Sequence, residues 1–343
     1  MSQEEFARTL TRAASRHLGE TAVLEDLRLL SGGASAETWH FDAVCGDTRH
    51  ELILRLSPPG GKKDPHRLDR TTEAKVLKAV QNCGVCVPPI CFVLDDDDAI
   101  GPGYAMQRIE GETIARKILR EDEYAGARSG MARQCGRILA GIHAVDTGLL
   151  PSLKEQSVDK AVKQLYTFID IFGEKNPVFE YTLRWLQDNF PEQTGLSLVH
   201  GDFRNGNFIV GPDGIRAVLD WELAHLGDPM EDLGWICVNS WRFGHIDNPV
   251  GGFGSREDLF AGYEEAGGIS VNPASVHFWE VYGTLKWGII CIVQAFTHLM
   301  GMKRSVELAA IGRRASETQI DLLQLLKKED MTWHRPDRQS TNY

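Results

Sequence analysis

The chain contains no dense run of lysine or arginine, no long apolar stretch and no regular array of cysteines. Nucleic-acid-binding proteins usually present a basic face, so a formal net charge of −11 disfavours that class. The longest apolar runs, such as "WGIICIVQAF", are too short to cross a bilayer. The seven cysteines are odd in number and do not have the spacing of a small secreted framework. We therefore expect a cytoplasmic protein with neither nucleic-acid nor membrane partners.

Three of the cysteines, Cys83, Cys86 and Cys91, form a C-x2-C-x4-C cluster. A structural zinc site needs a fourth ligand, and no matching His or Cys pair stands nearby in the sequence. We interpret the cluster as half-buried thiols that flank the strand-like segment "VCVPPI".

The order of hydrophobic patterns predicts a small β-rich part followed by a larger helical part. A first helix at 2–18 has a capping box made by Ser2 and Glu5, and it ends at Gly19. The acidic run at 95–98 is expected to be a solvated turn. Strands are expected within 22–56 and at 87–94, 103–109, 196–200, 205–211 and 215–221. Further helices are expected at 66–82, 125–145, 157–173, 176–189, 229–240, 255–267, 273–300 and 304–327.

Two polar segments, "HGDFRNGNFIV" and "VLDWELAHLGD", interrupt the apolar pattern near residue 200. Phosphoryl transfer needs a carboxylate to orient and deprotonate a hydroxyl, and oxygen ligands for magnesium. Asp202, Asn207 and Asp220 supply these groups on a loop–strand–turn–strand unit that would bring them to one end. Each residue alone is more typical of a turn cap or a strand end than of a catalytic site. The three together, at these spacings after a β-rich region, favour phosphoryl-transfer chemistry.

The segment "SGGAS" lies between two predicted strands. Its glycines would let the backbone approach phosphate groups, and its serines add hydroxyl donors. Two glycines between strands are also typical of an ordinary hairpin, so this signal is weak alone. No Walker A motif occurs in the chain. The candidate phosphate-binding residues of this segment are Ser31, Gly32, Gly33, Ala34 and Ser35.

The two polar segments resemble the aminoglycoside phosphotransferase and choline kinase superfamily, which has a protein-kinase-like fold. The segments "LSGGASAETW", "LILRLSPPGGK", "GYAMQRIEG" and "HLGDPMEDLGW" are most similar to the acyl-CoA-dehydrogenase-associated kinases of that superfamily. The resemblance runs in consistent order over roughly 20–330. It implies a bilobal α+β fold, with a small antiparallel sheet in the N-terminal lobe and a mainly helical C-terminal lobe.

The resemblance also implies the organisation of the chain. The nucleotide-binding lobe would cover 1–108, including the leading helix. The helical lobe, with the catalytic loop and the acceptor site, would cover 109–330. A polar tail would follow at 331–343.

The resemblance assigns Asp202 as the catalytic base, and Asn207 and Asp220 as the magnesium ligands. It also implies ATP as the phosphoryl donor. Where relatives usually have a strand lysine that reaches the α- and β-phosphates, this chain has Arg55, a planar cation rather than a compact one. Glu73 on the next helix would pair with Arg55. Lys62 and Lys63 are the alternative cations, and they lie in a loop.

The remaining assignments surround these groups. Met106 would line the adenine pocket, while backbone groups of Gln107 and Ile109 would meet the adenine edge. Asp232 is expected to brace the catalytic loop. His143 would be a core or loop-bracing histidine, and His200 would pack beneath the loop as a structural residue. Four further residues are expected near the acceptor, each with two possible roles. Arg204 would be a phosphate contact or a surface cation, and Glu222 would support the site or form part of the substrate mouth. Trp241 would be a core residue or line the pocket, and Arg242 would be an exposed anion contact or simply an exposed neighbour.

The sequence therefore predicts a kinase that phosphorylates a hydroxyl of a small acceptor. The subgroup resemblance favours a hydroxy acid or hydroxyacyl-CoA, and a CoA ester would need basic residues such as Arg242, Arg304, Arg313 and Arg314. An aminoglycoside is the alternative, and it would need carboxylates such as Glu222, Asp228 and Glu231. Choline, homoserine or a sugar-like alcohol comes next. A nucleotide-binding pseudokinase is a different class, against which the intact set of Asp202, Asn207 and Asp220 argues. The oligomeric state is not predicted.

Overall fold

A five-stranded antiparallel sheet forms most of the N-terminal part of the chain, in the strand order β1-β2-β3-β5-β4. The computed structural model describes residues 2–30, 36–57, 64–173, 175–192 and 195–327. The loop of Ser31 to Ser35, Lys62, Lys63 and the tail at 331–343 lie outside the described residues. The strands are β1 (Ala22–Leu30), β2 (Glu37–Cys45), β3 (Thr48–Leu56), β4 (Ile90–Val93) and β5 (Gly103–Gln107).

Two helices cover the sheet. Helix α1 (Gln3–Leu18) has the expected capping box and ends at Gly19 in the left-handed conformation. Its apolar side, which includes Phe6 and Leu10, packs on buried strand residues such as Phe41. Helix α2 (Arg70–Asn82) packs on β4 and β5 and also joins the main core of the helical part, because its Leu77 and Val80 belong to the same apolar cluster as residues of that part.

The C-terminal part is mainly helical, which confirms the α+β fold class. Two short antiparallel sheets, β6 (Ser197–Val199) with β9 (His225–Gly227) and β7 (Phe208–Gly211) with β8 (Gly214–Val218), frame the predicted catalytic loop. No helix of the described residues is both long enough and apolar enough to cross a membrane. The helices are α3 (Ala115–Arg120), α4 (Ala125–His143), α5 (Val158–Phe172), α6 (Pro177–Asp188), α7 (Met230–Cys237), α8 (Arg256–Glu265), α9 (Pro273–Leu299), α10 (Val306–Arg313) and α11 (Ala315–Leu325).

Several predicted boundaries differ from the structure. The helix expected at 304–327 is divided into α10 and α11 at Arg314, where Gly312 packs closely on Ala295 of α9. The helix expected at 229–240 ends at Cys237 and continues as a separate 3₁₀ turn. The strand expected at 87–94 is shortened to β4, because two prolines precede β4 and proline cannot donate a hydrogen bond to a sheet. Helix α2 begins four residues late, and α3 and β9 were not predicted.

The acidic run at 95–98 is not wholly solvated, contrary to expectation. Asp98 is buried, and its carboxylate pairs with Arg16 at 2.7 Å and with His17 at 2.9 Å. Burial raises the pKa of Asp98, but its hydrogen bonds and the charge of His17 outweigh that effect and lower it overall. This turn therefore anchors the end of α1 to the sheet.

Candidate active site

The carboxylate of Asp202 lies on the loop between β6 and β7, and three side chains hold it. Trp235 Nε1 donates to Oδ1 at 2.9 Å, and Arg204 Nε donates to the same oxygen at 3.0 Å. Asn207 Nδ2 donates to Oδ2 at 2.7 Å and to the backbone carbonyl of Asp202 at 2.9 Å. Because both oxygens accept hydrogen bonds, the carboxylate has a defined orientation.

Helix α7 holds the backbone of the same loop through hydrogen bonds. The Asp232 carboxylate accepts the N–H groups of His200 at 2.8 Å and Gly201 at 3.0 Å. His143 Nε2 lies 3.2 Å from the same carboxylate. Gly201 has a φ of +79°, and a Cβ there would lie 2.6 Å from the Leu223 carbonyl oxygen, so only glycine fits. Burial lowers the pKa of His200, in agreement with the structural role expected for it.

Asp220 and Asn207 lie on adjacent backbone segments, since the N–H of Leu219 donates to the Asn207 carbonyl at 2.8 Å. Asp220 adopts a left-handed conformation with φ of +68°. Burial raises the pKa of the Asp220 carboxyl, but the charge and hydrogen bond of Arg55 lower that pKa by more. The net shift is downward, so the group stays ionised. The Asn207 Nδ2 is engaged by Asp202, so Oδ1 is the atom left to face a cation. An anionic carboxylate and an amide oxygen fit magnesium, which prefers oxygen ligands.

Arg55 joins three elements that are distant in sequence. From β3 its guanidinium donates to Asp220 Oδ1 at 3.0 Å and lies 3.7 Å from Glu73 Oε1 on α2. Burial lowers the pKa of Arg55, but the neighbouring acidic groups raise it more, so the guanidinium remains a permanent cation. The predicted pairing with Glu73 is therefore present, and the fully buried Glu73 is not an exposed helix acid.

Glu222 is buried and belongs to the same charge network. Its carboxylate accepts hydrogen bonds from Arg67 and, at 2.9 Å, from Arg70, which also pairs with Glu73. The N–H of Leu68 donates to the Glu222 carbonyl at 2.7 Å. These contacts agree with the supporting role among the two expected for Glu222.

The connection between the two parts of the chain follows β5. Met106 is buried in the main core. The N–H of Gln107 donates to the Pro89 carbonyl at 2.8 Å, so only its own carbonyl could meet an adenine. Ile109 is half-buried two residues further on, and its N–H donates no hydrogen bond to any part of the chain that the structure describes.

The residues expected near the acceptor divide into two groups. The Arg204 guanidinium lies 4.5 Å from the ring centre of Trp241, which is buried against Trp235. Arg242, by contrast, was expected to be exposed, and this was wrong. Its side chain is only 13% exposed, because it donates to the Cys237 and Ile246 carbonyls and to the Glu280 carboxylate at 2.9 Å.

Trp235 contacts the proposed base but is not among the site residues expected from the sequence. A usable signal existed, because Trp235 follows Asp232 by three residues on α7. Residues at this spacing face the same direction on a helix. If Asp232 braces the catalytic loop, Trp235 is therefore directed at the loop as well.

A cavity of about 490 Å³ opens beside this network, between α5, α9 and the segment that precedes α2. Its wall combines apolar side chains with several basic groups. Asp64 is the only acidic residue that lines it within the described chain, and Asp64 already pairs with Arg67 at 3.1 Å. The lining includes His66, Arg67, Lys154, Phe168, His225, Tyr282, Lys286, Ile289, Ile290 and Val293.

Comparisons with known proteins agree with this architecture. The sequence profile described as the phosphotransferase enzyme family matches residues 26–269. Acyl-CoA dehydrogenase family member 10 of Mus musculus is 33% identical over 198 residues, which are 55% of this chain and 18% of that protein. Acyl-CoA dehydrogenase family member 11 of Pongo abelii is 27% identical over 294 residues, covering 79% of this chain and 37% of that protein. The chain thus spans less than two fifths of the length of either relative.

Among solved structures, the fold is similar to that of a provisionally assigned aminoglycoside phosphotransferase from Ralstonia eutropha. The TM-score is 0.72 at 20% identity, over 93% of this chain and 97% of that one. The resemblance predicted from the sequence motifs is therefore confirmed, and so is the protein-kinase-like fold.

Proposed function

The chain belongs to the phosphotransferase enzyme family, and from this premise we propose that it is an ATP- and magnesium-dependent kinase acting on the hydroxyl group of a small molecule. The observation that carries the proposal is the convergence of three groups. Asn207 donates a hydrogen bond to the Asp202 carboxylate at 2.7 Å. Asp220 directly follows Leu219, whose N–H donates to the Asn207 carbonyl. A turn cap or strand end would not require this convergence.

In the proposed reaction, the Asp202 carboxylate orients the acceptor hydroxyl and takes its proton. The hydroxyl oxygen forms a bond to the γ-phosphorus as the bond from that phosphorus to the β–γ bridging oxygen breaks. The phosphorylated acceptor and ADP result, and the proton remains on Asp202 until solvent removes it. Catalysis then depends on positioning and charge stabilisation rather than on a covalent intermediate.

The other groups hold the nucleotide. Asn207 Oδ1 and the Asp220 carboxylate would hold magnesium, which when bound neutralises phosphate charge. Arg55 is proposed to contact the phosphates in place of a lysine. A guanidinium has several N–H donors, and the Nε of Arg55 has no hydrogen-bond partner among the described residues. The segment of Ser31 to Ser35 remains the proposed phosphate loop, and Gln107 and Ile109 the proposed adenine contacts.

For the acceptor, we propose a hydroxy acid or a hydroxyacyl-CoA. An aminoglycoside would need free carboxylates, but Glu222 is engaged by Arg67 and Arg70. Glu231 lies 3.2 Å from His225, and the buried Asp228 accepts the Met230 N–H. The cavity lined by Lys154, Lys286 and apolar side chains suits an acyl group better than a polycation. The names of the curated relatives, acyl-CoA dehydrogenase family members, point the same way.

The basic residues of this cavity are not those first considered for a CoA ester. Arg242 is committed to Glu280, and Arg314 to Glu317 and Trp287. Neither of them, nor Arg304 or Arg313, is among the described residues that line the cavity.

The experiment is to measure magnesium-dependent ADP release from ATP with hydroxy acids, hydroxyacyl-CoAs, aminoglycosides, choline and simple sugars. Asp202→Ala and Asp220→Ala proteins run beside the wild type. Release that one acceptor class stimulates, and that both variants lose, is the expected result. Stimulation by aminoglycosides alone would overturn the acceptor class. ATP binding without turnover on any acceptor would indicate a pseudokinase instead.

A further inference from the structure

We propose that Lys286 selects the acceptor by binding its acyl oxygen, either a carboxylate oxygen or the carbonyl oxygen of a thioester. This inference rests on the proposed kinase function, and it assigns to one side chain the preference for acyl over non-acyl alcohols.

Lys286 lines the cavity and is linked to the proposed base, Asp202, through the indole of Trp235. It projects from α9 into the cavity wall, and its Nζ is 4.8 Å from the ring centre of Trp235. The indole of Trp235 donates to Asp202 at 2.9 Å. A single indole ring thus separates the cation from the proposed base. An acceptor whose acyl oxygen binds Lys286 can place a hydroxyl further along its chain at Asp202.

The charge of Lys286 is only weakly compensated. Its nearest acid is Glu231, whose Oε1 lies 3.8 Å from Nζ, beyond hydrogen-bond distance. The Oε1 atom is buried and accepts no hydrogen bond from the described residues, and the other oxygen of Glu231 is engaged by His225. Lys286 itself makes no hydrogen bond within the described chain. Three N–H donors on one ammonium are therefore available to a ligand.

The rest of the cavity defines the chemistry of that ligand. Phe168, Ile289 and Val293 provide apolar surface for a hydrocarbon chain. Lys154 adds positive charge, while Asp64, the one acid among the described lining residues, and Arg67 are paired with each other. A cationic alcohol would therefore meet repulsion here, whereas a chain with a polar acyl end satisfies both the apolar wall and the ammonium.

The test compares Lys286→Met with the wild type on three acceptors that share one chain and one hydroxyl. They are the free hydroxy acid, its CoA thioester, and the alcohol in which a methyl group replaces the acyl group. The wild type should prefer an acyl acceptor over the alcohol. The substitution should lower kcat/KM for that acceptor about 10- to 100-fold, mainly through KM, as expected for a lost charge-assisted hydrogen bond. The alcohol and the KM for ATP should change little.

A loss confined to the free acid or to the thioester identifies which acyl oxygen is bound, and either supports the proposal. Lys286→Arg keeps the cation and should retain part of the preference. The matched control is Lys160→Met, the same change at an exposed position of α5, which should leave all three reactions unchanged. An equal loss on acid, thioester and alcohol would overturn the inference, since it would reveal a general structural role, and so would a wild type without acyl preference. Failure of the wild type to phosphorylate any of the three overturns the proposed acceptor itself.

Discussion

Trp235 Nε1 donates a hydrogen bond to Asp202 Oδ1 across 2.9 Å, and this contact joins helix α7 to the proposed catalytic base. One turn earlier on the same helix, Asp232 accepts two backbone N–H groups of the loop that carries Asp202. Helix α7 therefore fixes both the backbone and the side chain of the loop. A rigid helix holds a reacting group more precisely than a loop alone could.

The first prediction concerns that hydrogen bond. Trp235→Phe keeps an aromatic ring under Lys286 but removes the N–H, so Asp202 loses one of the donors that orient it. We expect kcat to fall by about tenfold, with little change in the KM for ATP, in steady-state assays of acceptor phosphorylation. Trp279→Phe is the matched control, because Trp279 is buried and its Nε1 has no partner among the described residues. Equal losses of kcat in both variants would contradict the assigned role.

The second prediction concerns Arg55. Arg55→Met leaves the buried Glu73 with only Arg70 as a cation and removes the proposed phosphate contact. We expect loss of detectable phosphorylation and a lower unfolding free energy, since Glu73 and Asp220 lose the cation they share and a poorly compensated buried charge is costly. Arg55→Lys restores the charge but not the planar fork that reaches Glu73 and Asp220 together. It should fold and show a raised KM for ATP. A fully active Arg55→Met protein would remove Arg55 from the nucleotide site.

Local sequence signals predicted the parts of the fold that depend on neighbouring residues. The capping box of α1 uses Ser2 and Glu5, three residues apart, and is present as expected. The proposed catalytic loop was found for the same reason, because Asp202 and Asn207 form their hydrogen bond within a single short loop.

Contacts between distant segments could not be predicted in this way. Asp98 was expected to be solvated because its partner His17 lies 81 residues earlier. Arg242 was expected to be exposed, although Glu280, its partner, lies 38 residues later on α9. Helix α9 is apolar over much of its circumference, so its periodicity does not show that Lys286 faces the cavity.

The third prediction tests the packing that supports the brace of the loop. Gly136 on α4 crosses α8 so closely that a Cβ would lie 2.1 Å from the Leu259 carbonyl oxygen and 2.5 Å from the Tyr263 nitrogen. Backbone atoms cannot yield cheaply, so Gly136→Ala should lower the unfolding free energy by about 1–3 kcal/mol or more, measured by urea denaturation. Activity should fall too, because the Tyr263 hydroxyl lies 3.0 Å from His143.

Gly130→Ala on the same helix is the matched control. A Cβ at Gly130 would meet no atom within 4 Å, and alanine is the better helix former. This variant should be more stable by about 0.5–1 kcal/mol. Changes of the same sign in both variants would refute the close α4–α8 crossing.

The fourth prediction concerns pH and His225. Its Nδ1 lies 2.9 Å from the Leu223 carbonyl and its Nε2 lies 3.2 Å from Glu231 Oε2. Both partners are acceptors, so the doubly protonated ring satisfies them best. Burial lowers the pKa of His225, but the charge of Glu231 and the two hydrogen bonds outweigh burial and raise the pKa above its ordinary value of 6.5.

Because the pKa of His225 is higher in the folded than in the unfolded protein, protonation of His225 stabilises the fold. This contribution is fully present at a pH below the pKa of the unfolded state, and it is lost as the pH rises through the pKa of the folded state. The deficit in unfolding free energy of His225→Asn against wild type should therefore be larger at pH 6 than at pH 9. His66→Asn is the control, since His66 is exposed and forms no ion pair with a described carboxylate, and its deficit should be small at both pH values. A His225→Asn deficit that grows with pH would mean that His225 is neutral in the folded protein and that Glu231 is held by Lys286 instead.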